Sequence, residues 1–182
     1  GEPLRKWMMV LCCAWSIAQA AGEKAADLQT PASVDSVDLG RYLGLWHEIA
    51  RIPNRFQRSC AGGVTAQYTL REDGRIEVVN SCRKRDGGVM TAVGIAKIVD
   101  QQSRSKLKVS FVNLLGIRLF WGDYWIIGLD DEYRWAVVGH PRRKYGWILS
   151  RTSQLPSETL AEIFALLERQ GYDPGAFVMT EP

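Results

Sequence analysis

The strongest constraint on this chain is a side-chain period of two that recurs in short runs. Leu107, Val109 and Phe111 alternate with Lys106, Lys108 and Ser110. Val64, Ala66, Tyr68 and Leu70 alternate with Thr65, Gln67 and Thr69. Such alternation sends apolar side chains to one face of a strand and polar ones to the other. Ile76 and Val78 continue it after Glu72-Asp73-Gly74, a tight-turn signal because Asp-Gly tolerates positive φ. Further strands read at 46–52, 89–99, 124–129, 134–139 and 146–151, separated by Asp86-Gly87-Gly88, Asp130-Asp131 and Pro141. About eight short strands joined mostly by hairpins predict an all-β fold, an eight-stranded antiparallel up-and-down β-barrel.

One segment changes period. Leu160, Ile163, Phe164 and Leu167 fall at i, i+3, i+4 and i+7, with Pro156-Ser157-Glu158 before them and Gly171 after. This predicts one C-terminal α-helix with a single apolar face, packed outside the barrel. Residues 176–179 read as a final edge strand.

The N-terminal residues carry a different message. Arg5-Lys6 precedes an apolar run from Trp7 to Ala18, and Ala18-Gln19-Ala20 is a small-x-small cleavage site. Residues 1–20 therefore read as a secretory signal peptide. The run falls short of the ~20 residues that a spanning helix needs. Residues 21–37, polar and Ala-rich around Pro31, read as a disordered linker, and 38–182 as the barrel domain. Export places the chain in an oxidising compartment; acylation of Cys12 or Cys13, giving a lipid anchor, is the alternative.

Cys60 and Cys82 remain after the leader. An even pair in an oxidising compartment reads as a disulfide ahead of a metal site or a nucleophile. The formal net charge is +3, and Arg83-Lys84-Arg85 and Arg142-Arg143-Lys144 are short clusters at turns. Nucleic-acid binders carry a denser basic stripe, so no nucleic-acid partner is expected. The domain's two histidines, His47 and His140, lie far apart in sequence, and no Ser–His–Asp set or metal-ligand spacing is visible. The chain reads as a binding protein and not an enzyme, with no cofactor and no metal.

Eight strands is the size at which a barrel is either packed solid or holds one small ligand. Small residues at inward positions (Ala66, Ala92, Gly94, Ala96) leave room, and Tyr68, Phe111, Tyr124 and Trp147 would supply flat apolar walls. On their own the same residues could simply make a plain core.

Three stretches resemble the lipocalin family, within it the bacterial outer-membrane and apolipoprotein D-like branch. The first runs from Tyr42 to Arg51 and contains Gly44-Leu45-Trp46. The second runs from Gly122-Asp123-Tyr124-Trp125 to Leu129-Asp130-Asp131-Glu132-Tyr133. The third is Trp147-Ile148-Leu149-Ser150-Arg151-Thr152. The family more often has Tyr where this chain has His47. The resemblance implies a barrel floor made by Gly44, Trp46 and Arg151, with the guanidinium stacked on the indole. It also implies a Cys60–Cys82 tie between neighbouring strands.

The resemblance further implies binding, storage or transport of an apolar ligand, a fatty acid or a lysophospholipid or phospholipid of the bacterial envelope, by a chain in the periplasm or, if acylated, anchored at the outer membrane. Alternatives are a lipocalin-like isomerase and a ligand-free structural barrel. Alternation gives the expected ligand-lining set: Ala50, Val64, Ala66, Tyr68, Val78, Asn80, Gly94, Ala96, Val109, Phe111, Tyr124, Ile126, Val138, Trp147 and Leu149. Glu48, Arg51 and Asn80 are the polar residues near it. The segment 113–121, with Leu114, Leu115, Ile117, Leu119 and Phe120, is unusually apolar for a loop. It reads either as a lid or as a membrane- or partner-facing patch. A monomer or weak homodimer is expected.

Overall fold

The computed structural model describes residues 29–182, and Pro31–Pro182 form one compact unit. The expected signal peptide, and the expected linker as far as residue 28, lie outside the described residues. A one-turn helix α1 (Leu39–Tyr42) leads into β1 (Gly44–Arg51). There follow β2 (Cys60–Leu70), β3 (Ile76–Lys84), β4 (Val89–Ile98) and β5 (Lys106–Ser110). A short hairpin, β6 (Val112–Leu114) and β7 (Ile117–Leu119), precedes β8 (Gly122–Leu129), β9 (Trp135–Gly139) and β10 (Gly146–Ser150). Helix α2 (Ser157–Arg169) and β11 (Val178–Met179) complete the chain.

Neighbouring strands pair antiparallel in the order β10-β9-β8-β5-β4-β3-β2-β1-β11, and β10 also pairs with β1. That last pairing, His47 opposite Ser150 and Arg51 opposite Trp147, closes eight strands into a barrel. The period of two then has its physical outcome. The inner face packs Trp46, Tyr68, Ile76, Val78, Ala96, Leu107, Ile126, Ala136, Val138 and Leu149 into one core. The outer face of β1, β8, β9 and β10 packs Ile49, Ile127, Val137 and Ile148 against Ile163 and Leu167 of α2. The helix thus buries the stripe predicted from its 3.6-residue spacing. It ends at Gly171, whose φ of 79° lets its N–H reach Glu168 O and that of Tyr172 reach Leu167 O.

Two expectations are corrected. Residues 31–37 are not a loose linker but a strap on the barrel. Val37 is buried in the inner core, its N–H donates to Ser103 O, and Val34 N–H donates to Ile126 O. Gln170 closes the strap from the helix end by exchanging two hydrogen bonds with the Ala32 backbone. Two apolar anchors in an aperiodic stretch leave no pattern for a sequence reading to find. Segment 113–121 is not an irregular loop but all of the β6–β7 hairpin except Val112, with the two residues that follow it. Leu115 and Gly116 take φ of 50° and 82° at its tip, the twin left-handed turn that suits a two-residue connection.

Candidate ligand cavity

The floor of the barrel is built around Trp46, which is fully buried. Its indole Nε1 donates to Tyr42 O at 2.8 Å. The Arg151 guanidinium lies over the indole at 3.8 Å from the ring centroid. The same guanidinium donates to the carbonyls of Leu45, Arg41, Tyr42 and Leu43, with a further bond from Nε to Tyr133 O. One side chain therefore satisfies the carbonyls that the end of α1 and the start of β1 leave open. Gly44 sits at the bend with φ of 96°, a conformation that disfavours any Cβ. The floor is the arrangement expected for Gly44, Trp46 and Arg151.

Against the floor three tyrosines form a chain across the interior. Tyr124 Oη is 2.7 Å from Tyr42 Oη and 2.9 Å from Tyr68 Oη. Burial pushes the Tyr68 hydroxyl up to about 12, and burial raises those of Tyr42 and Tyr124 well above the usual phenol value. All three hydroxyls are thus neutral under ordinary conditions. Beside them Leu39, Ile76, Ala96, Leu107, Val109 and Ile126 enclose an apolar void. It holds about 290 Å³ of non-atom space, some of it continuous with solvent. Most of it is too narrow for more than about one water molecule.

The upper half is different. On β1 a bulge falls between Glu48 and Ala50. The Glu48 side chain is buried and accepts from Arg51 Nη1, Gln57 Nε2 and Thr180 Oγ1, each at 2.6 Å. Gln57 Oε1 in turn accepts from Trp147 Nε1 at 3.0 Å and from Asn54 Nδ2 at 2.7 Å. This net ties the β1–β2 connection, the last barrel strand and the C-terminal segment to one carboxylate. Trp147 stacks on Tyr145, their centroids 5.9 Å apart, so one wall of the mouth is aromatic. Opposite, Asn80 pairs with Ala66 and Ala92 in register, and these small or short residues leave that side open to solvent.

Most of the expected lining residues converge. Tyr68, Val78, Ala96, Ile126, Val138 and Leu149 lie in the inner core, with Ala66, Val109, Tyr124 and Trp147 packed against it. Val64 is buried on the same strand, and Asn80 is half-buried. Gly94 is filled from outside itself: a Cβ there would lie 2.7 Å from the Phe111 ring. Phe111, which is 43% exposed, is the cap over that position. Ala50 departs from the set. It lies in the outer core with Ile148, Ile163 and Leu167, because the Glu48/Ala50 bulge reverses the alternation counted from Trp46. The same reversal turns Arg51 inward beside Glu48. Leu39, Tyr42, Ile76 and Leu107 line the void without having been singled out. Ile76 and Leu107 share the parity of Val78 and Val109 and were legible on that ground, whereas Tyr42 precedes the first strand.

Cys60 and Cys82 form the expected disulfide, joining β2 to β3 across a sequence separation of 22. Among the described residues no group of three or more His, Cys, Asp or Glu side chains is placed to hold a metal ion.

A family model described as a lipocalin-like domain matches residues 37–182. The outer membrane lipoprotein Blc of Escherichia coli K12 is 41% identical over 149 residues, 81% of each chain. Temperature-induced lipocalin-1 of Arabidopsis thaliana is 37% identical over 77% of this chain and 76% of its own. Apolipoprotein D of Macaca fascicularis is 30% identical over 84% of this chain and 80% of its own. Insecticyanin from the tobacco hornworm Manduca sexta has a similar structure, with a TM-score of 0.66 at 22% identity over 85% of this chain and 84% of its own; that likeness concerns the fold. With the closed eight-stranded barrel, the Trp46–Arg151 floor and these relatives together, the chain belongs to the lipocalin family.

Proposed function

We propose that this chain binds, stores or carries a single-chain lipid, a fatty acid or lysophospholipid, in the upper barrel, with the lipid head group at the mouth. The carrying observation is the gradient along the barrel axis. The lower interior is apolar apart from the neutral tyrosine chain, and the charged inward pair Glu48 and Arg51 stands at the mouth end of β1. An acyl chain buries methylenes worth roughly 0.8 kcal/mol each, so ~12 carbons suffice for micromolar or better affinity after association costs. The narrow lower void means that the chain enters as Phe111 swings away from Gly94 and extends the space upward. Catalysis is not part of this reading, and neither is a nucleic-acid partner. Relatives named outer membrane lipoproteins support work in the bacterial envelope, reached through a cleaved leader or through an acyl anchor. A monomer or weak homodimer is sufficient, since the cavity lies within one barrel.

Denaturing extraction of the purified chain followed by lipid mass spectrometry tests this reading. Displacement of a fluorescent fatty acid by unlabelled fatty acid and lysophospholipid, in vesicle-free buffer, tests it a second way. Stoichiometric lipid or saturable displacement is expected. Failure to recover or load any lipid would favour the second reading, a packed structural barrel, to which the narrowness of the lower void lends support.

A further inference from the structure

The two ends of the barrel differ sharply in charge. The four connections at the mouth span 52–59, 85–88, 111–121 and 140–145. They carry seven basic residues and one acidic residue, Asp86. The three hairpin connections at the floor, 71–75, 99–105 and 130–134, carry six acidic residues and four basic ones. At the mouth Asp86 is paired with Lys84, and none of Arg55, Arg58, Arg85, Arg142 and Lys144 is held in an ion pair among the described residues.

The same end carries the most exposed apolar side chains of the unit. Leu115 is 95% exposed, Phe120 81%, Val89 73% and Ile117 64%. Leu115 and Phe120 also hold φ of 50° and 57°, a left-handed conformation that is costly for bulky residues. The β6–β7 hairpin is nonetheless tied to the barrel at its base, where the buried Ser110 hydroxyl donates to Leu119 O with Val112 O 3.3 Å away. Apolar side chains held in solvent at the tip (Leu115) and foot (Phe120) of such a hairpin gain free energy when something covers them.

We infer that the mouth end docks on an anionic lipid bilayer, with the Leu115–Phe120 hairpin entering the interface and Arg55, Arg58, Arg85, Arg142 and Lys144 resting on the head groups. Charge complementarity selects this occupant: a basic rim around an apolar tip matches a negatively charged surface over hydrocarbon. The inference rests on the proposed lipid-carrier reading and adds its partner. Docked mouth-first, the cavity opens toward the bilayer, so a single-chain lipid passes between membrane and barrel without crossing water.

Vesicle co-sedimentation of the chain from Ala21 onward tests this, since Pro31–Pro182 carry their own cores. Binding to phosphatidylcholine vesicles containing phosphatidylglycerol is expected at low salt, falling roughly tenfold or more at high salt. Removing phosphatidylglycerol, or introducing Arg142→Glu with Lys144→Glu, should cause a loss of similar size. Leu115→Asp with Phe120→Asp should abolish sedimentation while leaving fatty-acid displacement in vesicle-free buffer unchanged, which separates docking from ligand binding and reports a folded barrel. Equal binding to neutral and anionic vesicles would overturn the inference, as would unchanged sedimentation of the Leu115/Phe120 double variant. So would a dimer in solution that this double variant dissolves, with no vesicle binding by the parent chain, for the hairpin would then meet a second copy.

Discussion

Glu48 near the end of the first strand accepts a hydrogen bond from the Thr180 hydroxyl, only two residues from the end of the sequence, at 2.6 Å. The carboxylate also holds Arg51 and Gln57, so three donors from three parts of the mouth depend on one buried acceptor. Removing such an acceptor leaves an uncompensated, partly buried cation and two unpaired donors. Glu48→Ala is therefore expected to cost on the order of 3 kcal/mol, read as a lower urea midpoint. Glu48→Gln keeps the shape and loses the charge, and should cost less. The local signature is faster hydrogen exchange at the Thr180 amide, which donates to Ile49 O. Unchanged exchange there would show that the C-terminal segment is held by its backbone alone.

The contact between Gly94 and Phe111 governs the proposed entry path. Phe111→Ala should raise both association and dissociation rates of a fluorescent fatty acid several-fold, in stopped-flow displacement, with a smaller change in affinity. Gly94→Val puts carbon atoms where the Phe111 ring now lies and should cost about 1–3 kcal/mol by overpacking, or force the ring outward. If Phe111→Ala leaves both rates as they were, the ligand enters elsewhere.

Arg151 is tested by the substitution that keeps its charge. A lysine cannot present the planar fork that reaches Arg41, Tyr42, Leu43 and Leu45 carbonyls together, nor stack as flat on Trp46. Arg151→Lys is expected to lose about 2 kcal/mol, and the change should appear in the near-ultraviolet circular dichroism of the buried indole. A loss near zero would assign the floor to Trp46 packing alone.

The tyrosine chain predicts alkaline sensitivity. A hydroxyl whose folded pKa is raised contributes stability that is complete below its unfolded value near 10 and is lost as pH rises toward the folded value. Tyr68, pushed up to about 12, sets the window between those two values, and Tyr42, Tyr124 and Tyr172 are raised with it. Stability to urea should thus be level below about pH 9.5 on this account and fall above it. Phenolate absorbance should show a first class of tyrosines titrating normally and a second class appearing only with unfolding. A single smooth titration with no late class would remove the buried chain from the account.

Much of the barrel was legible because alternation is a geometric consequence of strand backbone. Lys106–Ser110 and 64–70 announce their inner faces directly, and the floor follows from Gly44, Trp46 and Arg151 standing at the right places in the chain. What was not legible shares one property: it depends on a single residue of register or on contacts remote in sequence. The Glu48/Ala50 bulge flips Ala50 outward and Arg51 inward, and nothing in the residues marks it. The strap at 31–37 is held by Val34 and Val37 against elements about 65 to 90 residues away, with no period to reveal it. Gly94 was read as a source of room, yet the room belongs to Phe111, because a missing side chain on one strand can be filled by a neighbour's.

A cylinder of hydrogen-bonded strands has no free edge, but this one has a seam. Beyond His47 strand β1 parts from β2, and the gap is filled by the final residues, with Met179 opposite Ala50 and Gly63 N–H donating to Glu181 O. Unpaired amides along such a gap are a template for any passing strand. A chain cut after Phe177 would still carry Trp46, Arg151 and the helix, so its weakness would be stickiness rather than unfolding. It should form concentration-dependent, thioflavin-positive oligomers while remaining folded, and the five residues that follow Phe177 act as the stopper that keeps one barrel from recruiting another.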